Sequence, residues 1–134
     1  PLVNASHILA FATLYGSIAV LDLAILTKAR SEYLAPLARA VPRLAGAGLC
    51  MAIFTGAILF SVQPFDYAAN PAFLVKLVLV VAGLLHVALL HATPAFRELR
   101  NSGATTPILA ASAAVSLGIW TAAIVAGRFI AFMA

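Results

Sequence analysis

Four long runs of apolar residues, separated by short polar segments, dominate the sequence. They occupy about residues 7–27, 43–62, 71–92 and 107–130. Each run has roughly the 20 residues that an α-helix needs to cross the hydrocarbon core of a bilayer, which is about 30 Å thick. The pattern therefore predicts a single all-α domain over residues 1–134, an integral membrane bundle of four helices.

The polar segments hold residue types that begin helices. Pro42 precedes the second run and Pro107 opens the fourth, and proline suits the first turn of a helix because it has no N–H to leave unpaired there. Asn70 stands before Pro71 and is the predicted cap of the third helix. The connection around Pro36 is predicted to include a short helix at the membrane interface.

Composition supports a membrane as the main solvent. The chain is 64% hydrophobic and 9% charged, with a mean hydropathy of +1.10, so it has too few polar groups to cover a soluble globule of this size. The net charge of +4 comes from basic residues beside the apolar runs, which indicates topology signals and no nucleic-acid partner. The single cysteine, Cys50, lies within the second run and has no partner for an internal disulfide.

The basic residues also predict an orientation, because cytoplasmic loops of membrane proteins collect Lys and Arg. Six of the eight lie in or beside the first and third connections: Lys28, Arg30, Arg39, Arg43, Arg97 and Arg100. We therefore expect a multi-pass protein of a bacterial inner membrane, with these connections inside. Both termini, and the second connection with Asp66, are then expected on the outer, periplasmic side.

Small residues recur at every fourth position in two of the predicted helices. Such stripes allow close backbone approach, which drives helix association where lipid provides no hydrophobic force, so we expect them to face other helices. The stripes are Gly48, Ala52 and Gly56 in the second helix, and Ala110, Ala114, Gly118, Ala122 and Ala126 in the fourth.

A few ionisable residues lie within the runs, where each charge costs roughly 2.5–3.5 kcal/mol at the centre of a helix. His7 and Asp22 are fifteen residues apart in the first run, as are Lys76 and His91 in the third. These two helices run in the same direction, so the spacing predicts an outer cluster of His7 and Lys76. It also predicts an inner cluster of Asp22 with His91, or with His86 if the third helix is shifted by about one turn.

Each of these residues also has an ordinary structural interpretation. Lys76 could extend its long side chain to the headgroups, and His91 could simply end its helix there. Asp22 could pair with Arg39 or Arg43. These alternatives stay open on the sequence alone.

Buried histidines in a small membrane bundle suggest haem b. His86, deep in an apolar run, needs a hydrogen bond or a ligand. It is five residues from His91 on one helix and does not face the same way, so a haem would need one histidine with a second ligand from another group or subunit. A tight copper site is not predicted, because Cys50, Met51 and Met133 are scattered. The sequence shows no phosphate loop or protease motif, and no catalytic activity of its own is expected.

Several short stretches resemble known families. They are His7-Ile8-Leu9, Gly16, Leu21-Asp22-Leu23, Thr55-Gly56, Phe60, Tyr67, Asn70-Pro71-Ala72-Phe73, Lys76-Leu77 and His91. On these residues, over about residues 1–91, the chain resembles a bacterial family of four-helix membrane proteins catalogued only as a domain of unknown function. More distantly, a Thr-Gly in the second run followed by a Lys-Leu in the third is similar to the CopD-type copper-resistance membrane domain.

A second distant resemblance concerns cofactor binding. His7 in the first run, with Lys76 and a histidine ten residues later in the third, is similar to the pattern of HemJ-type protoporphyrinogen oxidases, which bind haem b. The resemblance implies that His7 is the haem ligand, and so the metal-binding residue, and that Lys76 is its functional neighbour.

Three functions follow as hypotheses. The first is a small membrane protein that binds haem b through His7, Lys76, His86 or His91 and serves as a redox or electron-transfer accessory, within a homo-oligomer or beside other membrane subunits. The second is a proton-coupled or copper transport unit in which Asp22, His86 and His91 form a relay. The third is a structural anchor for a larger complex.

Overall fold

The computed structural model describes residues 2–133, which form six helices and no strand. In chain order these are α1 (Leu2–Leu26), α2 (Ser31–Val62), α3 (Pro64–Ala69), α4 (Pro71–His91), α5 (Pro94–Ser102) and α6 (Pro107–Phe129). Four of them, α1, α2, α4 and α6, are long and apolar enough to cross a membrane. The predicted all-α architecture with four candidate spans, typical of a multi-pass membrane protein, is confirmed.

The second helix differs most from the prediction. It begins at Ser31 and runs without a break past Pro36 and Pro42, so the connection predicted to hold a separate interfacial helix is part of α2. Its 32 residues correspond to about 48 Å of helix, well over the roughly 30 Å of a hydrocarbon core. The extra length lies at the end of α2 that carries Arg39 and Arg43.

Side-chain caps fix where the later helices begin. The side chain of Asn70 accepts hydrogen bonds from the backbone N–H groups of Ala72 (3.0 Å) and Phe73 (3.4 Å) at the start of α4. Thr106 caps α6 by accepting from the N–H of Leu109 at 3.2 Å. Since the first N–H groups of a helix have no partner inside it, these caps define its first turn. The cap predicted at Asn70 is confirmed.

Small residues bring neighbouring helices together. α1 packs along both α2 and α6, and α4 packs mainly on α6. A Cβ atom added at Gly48 of α2 would lie 2.8 Å from the backbone nitrogen of Leu14 in α1. One added at Gly83 of α4 would lie 2.6 Å from the indole ring of Trp120 in α6. The small residues of α2 therefore face another helix, as predicted.

The prediction for the small-residue stripe of α6 is wrong. A Cβ atom at Gly118 would meet nothing within 4 Å, and Ala114 is exposed. The stripe lines an open surface groove of about 710 Å³. Small residues occur on every side of α6, so their spacing does not select a face. The inward face of α6 is set instead by Trp120, whose large ring is buried against Gly83. The buried residues on this face of α6 are Leu109, Ala113, Ser116, Trp120 and Ala123.

The two ends of the bundle differ in charge. We call the end where α1 begins and α6 ends the terminal end. The opposite end is the basic end, because the six basic residues of the first and third connections lie at or near it. Helix α5 packs against α2 there and buries Phe96 and Leu99. It ends at Gly103, whose φ of 76° is in the left-handed region that glycine tolerates best.

Candidate functional site

The structure brings His7 and Lys76 together near the terminal end. The Nζ atom of Lys76 lies 3.4 Å from Nε2 of His7 and 4.9 Å from the centre of the Phe11 ring. The other ring nitrogen of His7, Nδ1, lies 3.1 Å from the carbonyl oxygen of Ala52 and 3.0 Å from the hydroxyl of Thr55. The side chain of Lys76 therefore points toward α1 and not toward the headgroups.

The sequence of α2 leaves room for the His7 ring. Gly56 has no side chain where the ring passes, and a Cβ atom there would lie 3.2 Å from Cε1 of His7. Thr55, next to it, is 4% exposed. Its hydroxyl donates to the carbonyl oxygen of Met51 at 2.7 Å, so its oxygen is the acceptor that faces Nδ1. Since a carbonyl oxygen only accepts, the contact with Ala52 requires a proton on Nδ1, which leaves the lone pair of Nε2 for the ammonium of Lys76.

Both ring nitrogens of His7 already have partners in this arrangement. An iron ligand needs one ring nitrogen directed at the metal, but Nδ1 contacts Ala52 and Thr55 while Nε2 faces Lys76. Within residues 2–133 there is no group of three or more His, Cys, Asp or Glu side chains placed to hold a metal ion. Haem b binding with His7 as the metal ligand stays a prediction.

The second group of polar residues surrounds a cavity of about 310 Å³ between the helices. We call it the central cavity. Asp22 of α1, both His86 and His91 of α4, and Ser116 and Trp120 of α6 all line it. The sequence predicted that Asp22 would lie with either His91 or His86. In the structure Asp22 lines one cavity together with both histidines.

Three buried polar atoms of this cavity have no hydrogen-bond partner in the described part of the chain. They are Oδ2 of Asp22, Nδ1 of His86 and Nε1 of Trp120. Asp22 is 6% exposed and Trp120 only 1%, so neither is in contact with the surroundings of the bundle. A buried polar group without a partner costs about 1–3 kcal/mol. Three at one polar cavity indicate that it holds hydrogen-bonding partners, either water or a bound molecule.

The pairing of Asp22 with an arginine, one of the alternatives open from the sequence, is not found. Among residues 2–133 the one ion pair joins Arg30 to Glu32, with Nη1 and Oε1 3.1 Å apart. Arg39 instead donates from Nη1 to the carbonyl oxygen of Arg100 at 2.8 Å. The polar neighbour of the Asp22 carboxylate is the hydroxyl of Ser116.

The two histidines are held in different ways. Nε2 of His86 lies 3.0 Å from the hydroxyl of Ser112 in α6, which fixes the ring and leaves Nδ1 free for the cavity. His91, at the last turn of α4, lies 3.4 Å through Nδ1 from the carbonyl oxygen of Val87. Its ring centre is 4.3 Å from that of Phe96 in α5. His91 therefore lies between the central cavity and the basic end.

An aromatic pair separates this cavity from the His7–Lys76 cluster. The rings of Phe11 and Trp120 meet edge to face, with centres 6.3 Å apart. Phe11 also contacts His7 and Lys76 on its other side. The two polar clusters thus lie on opposite sides of an apolar layer.

Three residues of these sites were not singled out from the sequence: Ser112, Ser116 and Trp120. A signal for them was present, because they follow one another at intervals of four and so share a face of α6. Comparisons with protein-family models, with curated proteins and with solved structures find no match for this chain.

Proposed function

We propose that the protein is a multi-pass protein of a bacterial inner membrane with both termini on the outer side. The proposal is supported by the concentration of Lys and Arg at the basic end, since such residues collect on the cytoplasmic side. The two ends of the described chain, at α1 and α6, lie together at the opposite end of the bundle. In this orientation His91, at the end of α4 nearer the basic end, lies on the cytoplasmic side of the central cavity.

We further propose that the protein is the proton-handling unit of a proton-coupled membrane process. The observation that carries this proposal is the central cavity with its three unpaired polar atoms, on Asp22, His86 and Trp120. Ionisable groups facing an internal cavity at membrane depth are typical of proton relays in pumps and transporters. A purely structural anchor has no need of such a cavity.

The residues of the central cavity provide the inner part of the proton route, between the Phe11–Trp120 layer and the basic end, and the outer part crosses that layer toward the His7–Lys76 cluster. Asp22 as a carboxylic acid donates its proton to a water or to the free Nδ1 of His86, and becomes a carboxylate. Once protonated, the imidazolium of His86 releases the proton to water in the cavity, and His91, which lies five residues further along α4 and lines the same cavity, accepts it. Protonated Asp22 also donates a hydrogen bond to a guest in the cavity, whereas the carboxylate only accepts one. Proton transfer is thereby linked to what the cavity holds.

The test is proton flux into liposomes that contain the purified protein and a trapped pH-sensitive dye, driven by a potassium diffusion potential. We expect flux above that of protein-free liposomes, and a reduction of about tenfold or more in Asp22→Asn, in line with removal of a proton carrier. Asp66→Asn is the matched control, because Asp66 is an exposed carboxylate on α3 away from the cavity. Flux equal to that of empty liposomes, or an equal loss in both variants, would refute the proposal.

A further inference from the structure

The central cavity has an opening toward the bilayer between α2 and α4. These two helices make little or no close backbone contact, although each packs on other helices. Both nevertheless contribute to the wall of the cavity, α2 through residues such as Gly46 and Leu49 and α4 through residues such as Leu84 and Val87. The cavity thus reaches the surface of the bundle in the gap between them.

The gap is closed above and below. At the terminal end the rings of Phe60 in α2 and Phe73 in α4 stack with centres 5.7 Å apart, and Tyr67 of α3 packs on both. At the basic end α5 contacts α2 and α4, with Phe96 beneath His91. What remains open lies beside Gly46 of α2 and Leu84 and Val87 of α4, within the candidate membrane spans of both helices.

The rim of this opening is apolar. Gly46, Leu49, Leu84 and Val87 are all partly exposed, and a Cβ atom at Gly46 would meet nothing within 4 Å. An apolar rim at this depth admits molecules dissolved in the lipid and excludes ions, which would lose their hydration there. The access route therefore selects for lipid-soluble guests.

The interior selects differently. The indole Nε1 of Trp120 can only donate a hydrogen bond, while Oδ2 of a carboxylate Asp22 can only accept one. Both atoms are buried and unpaired at the same cavity. A hydroxyl group matches both requirements, because its oxygen can accept a hydrogen bond from an indole and its hydrogen can be donated to a carboxylate.

We infer that the central cavity binds the hydroxyl-bearing head of a lipid-soluble molecule, of the phenol or alcohol class, that enters from the bilayer between α2 and α4. This inference rests on the proposed role of the central cavity as the working site. It adds the class of guest and the direction from which the guest arrives. The hydroxyl of the guest is then the group whose hydrogen bonding Asp22 controls by gaining or losing its proton.

Trp120, the single tryptophan of the chain, provides the readout. A bromophenol with an alkyl tail is added to the protein in liposomes, and quenching of the indole fluorescence by its bromine is measured. The matched probe is the methyl ether of the same molecule, which keeps the ring, bromine and tail but has no hydroxyl hydrogen to donate. We expect the phenol to quench at about tenfold lower membrane concentration than the ether, the preference that one hydrogen bond to a charged group supplies. Asp22→Asn should remove most of that preference.

A variant that fills the opening tests the entry route. Gly46→Phe should abolish quenching by the phenol, whereas Gly16→Phe should quench as wild type does, because Gly16 is equally free of neighbours but does not line the cavity. Gly46→Leu is the milder substitution if the larger one fails to fold.

Equal quenching by phenol and ether in the wild type would mean that lipid chains merely fill the cavity, and quenching of Gly46→Leu at the wild-type level would mean that entry is elsewhere. Either result overturns the inference. Proton flux is measured separately, so phenol selectivity without flux would refute the proposed function alone, and flux without selectivity would refute the inference alone.

Discussion

Nζ of Lys76 lies 3.4 Å from Nε2 of His7, although the two residues are on different helices and 69 positions apart in the chain. The aromatic ring of Phe11 is the other partner of the Lys76 ammonium, with Nζ 4.9 Å from the ring centre. The imidazole and the ring together replace water around a half-buried charge. The contact thus ties α4 to α1 in a bundle where these two helices otherwise pack through α6.

The pair should behave as one energetic unit. His7→Leu leaves the ammonium of Lys76 without its imidazole partner and is expected to destabilise the folded protein by roughly 1–3 kcal/mol, the cost of an unpaired buried polar group. Lys76→Met removes the charge together with its need for a partner and should cost less. In the double variant the loss should be clearly smaller than the sum of the two single losses. Unfolding in mixed micelles measures all three, and strictly additive losses would show that the two residues do not interact.

Substitution by leucine should reduce the stability of the folded protein at Gly48 but not at Gly118. Leucine at Gly48 would place its Cβ 2.8 Å from the backbone of Leu14, so α1 and α2 must separate, and we expect a loss of about 1–3 kcal/mol or more. Leucine at Gly118 would meet open space and should leave the melting temperature in detergent nearly unchanged. A large loss at Gly118 would mean that another chain covers the groove of α6 in the folded protein.

The proposed orientation is open to chemical labelling. In a Cys50→Ala background, Asp66→Cys should react with a thiol reagent that cannot cross the membrane when it is added to intact cells from outside the inner membrane. Arg97→Cys should react only after the membrane is permeabilised. Both positions are exposed in the structure, so access depends on the side of the membrane. The reverse pattern would show that the basic end faces outward.

The sequence predicted the parts of this molecule that depend on local pattern. Runs of about 20 apolar residues are long enough to be unmistakable, and Asn70 before Pro71 is a strong start signal because both residues suit the first turn of a helix. The meeting of His7 and Lys76 was also expected, since two helices running in the same direction carry polar residues at matching intervals.

The parts that failed depend on contacts between helices. Pro36 and Pro42 suggest breaks in the chain, yet α2 runs through both. The stripe through Gly118 has the spacing of a packing face, but the orientation of α6 is decided by the fit of Trp120 over Gly83, which requires knowing that α4 is its neighbour. The central cavity was not predicted as a cavity for the same reason, because its wall comes from residues of five helices.

The burial of the four long helices is uneven. Within the described chain, α4 buries only Ala72 and Gly83 fully, whereas α1 buries seven residues. Since packing contacts supply most of the association energy of helices in lipid, α4 is the helix that leaves its place at the lowest cost. Its start is anchored, because the side-chain nitrogen of Asn70 donates to the carbonyl oxygen of Ile130 at 2.8 Å. The softest deformation of the bundle is therefore a swing of α4 about that anchor, and such a swing changes the width of the gap beside α2, where α4 has little or no close backbone contact to lose.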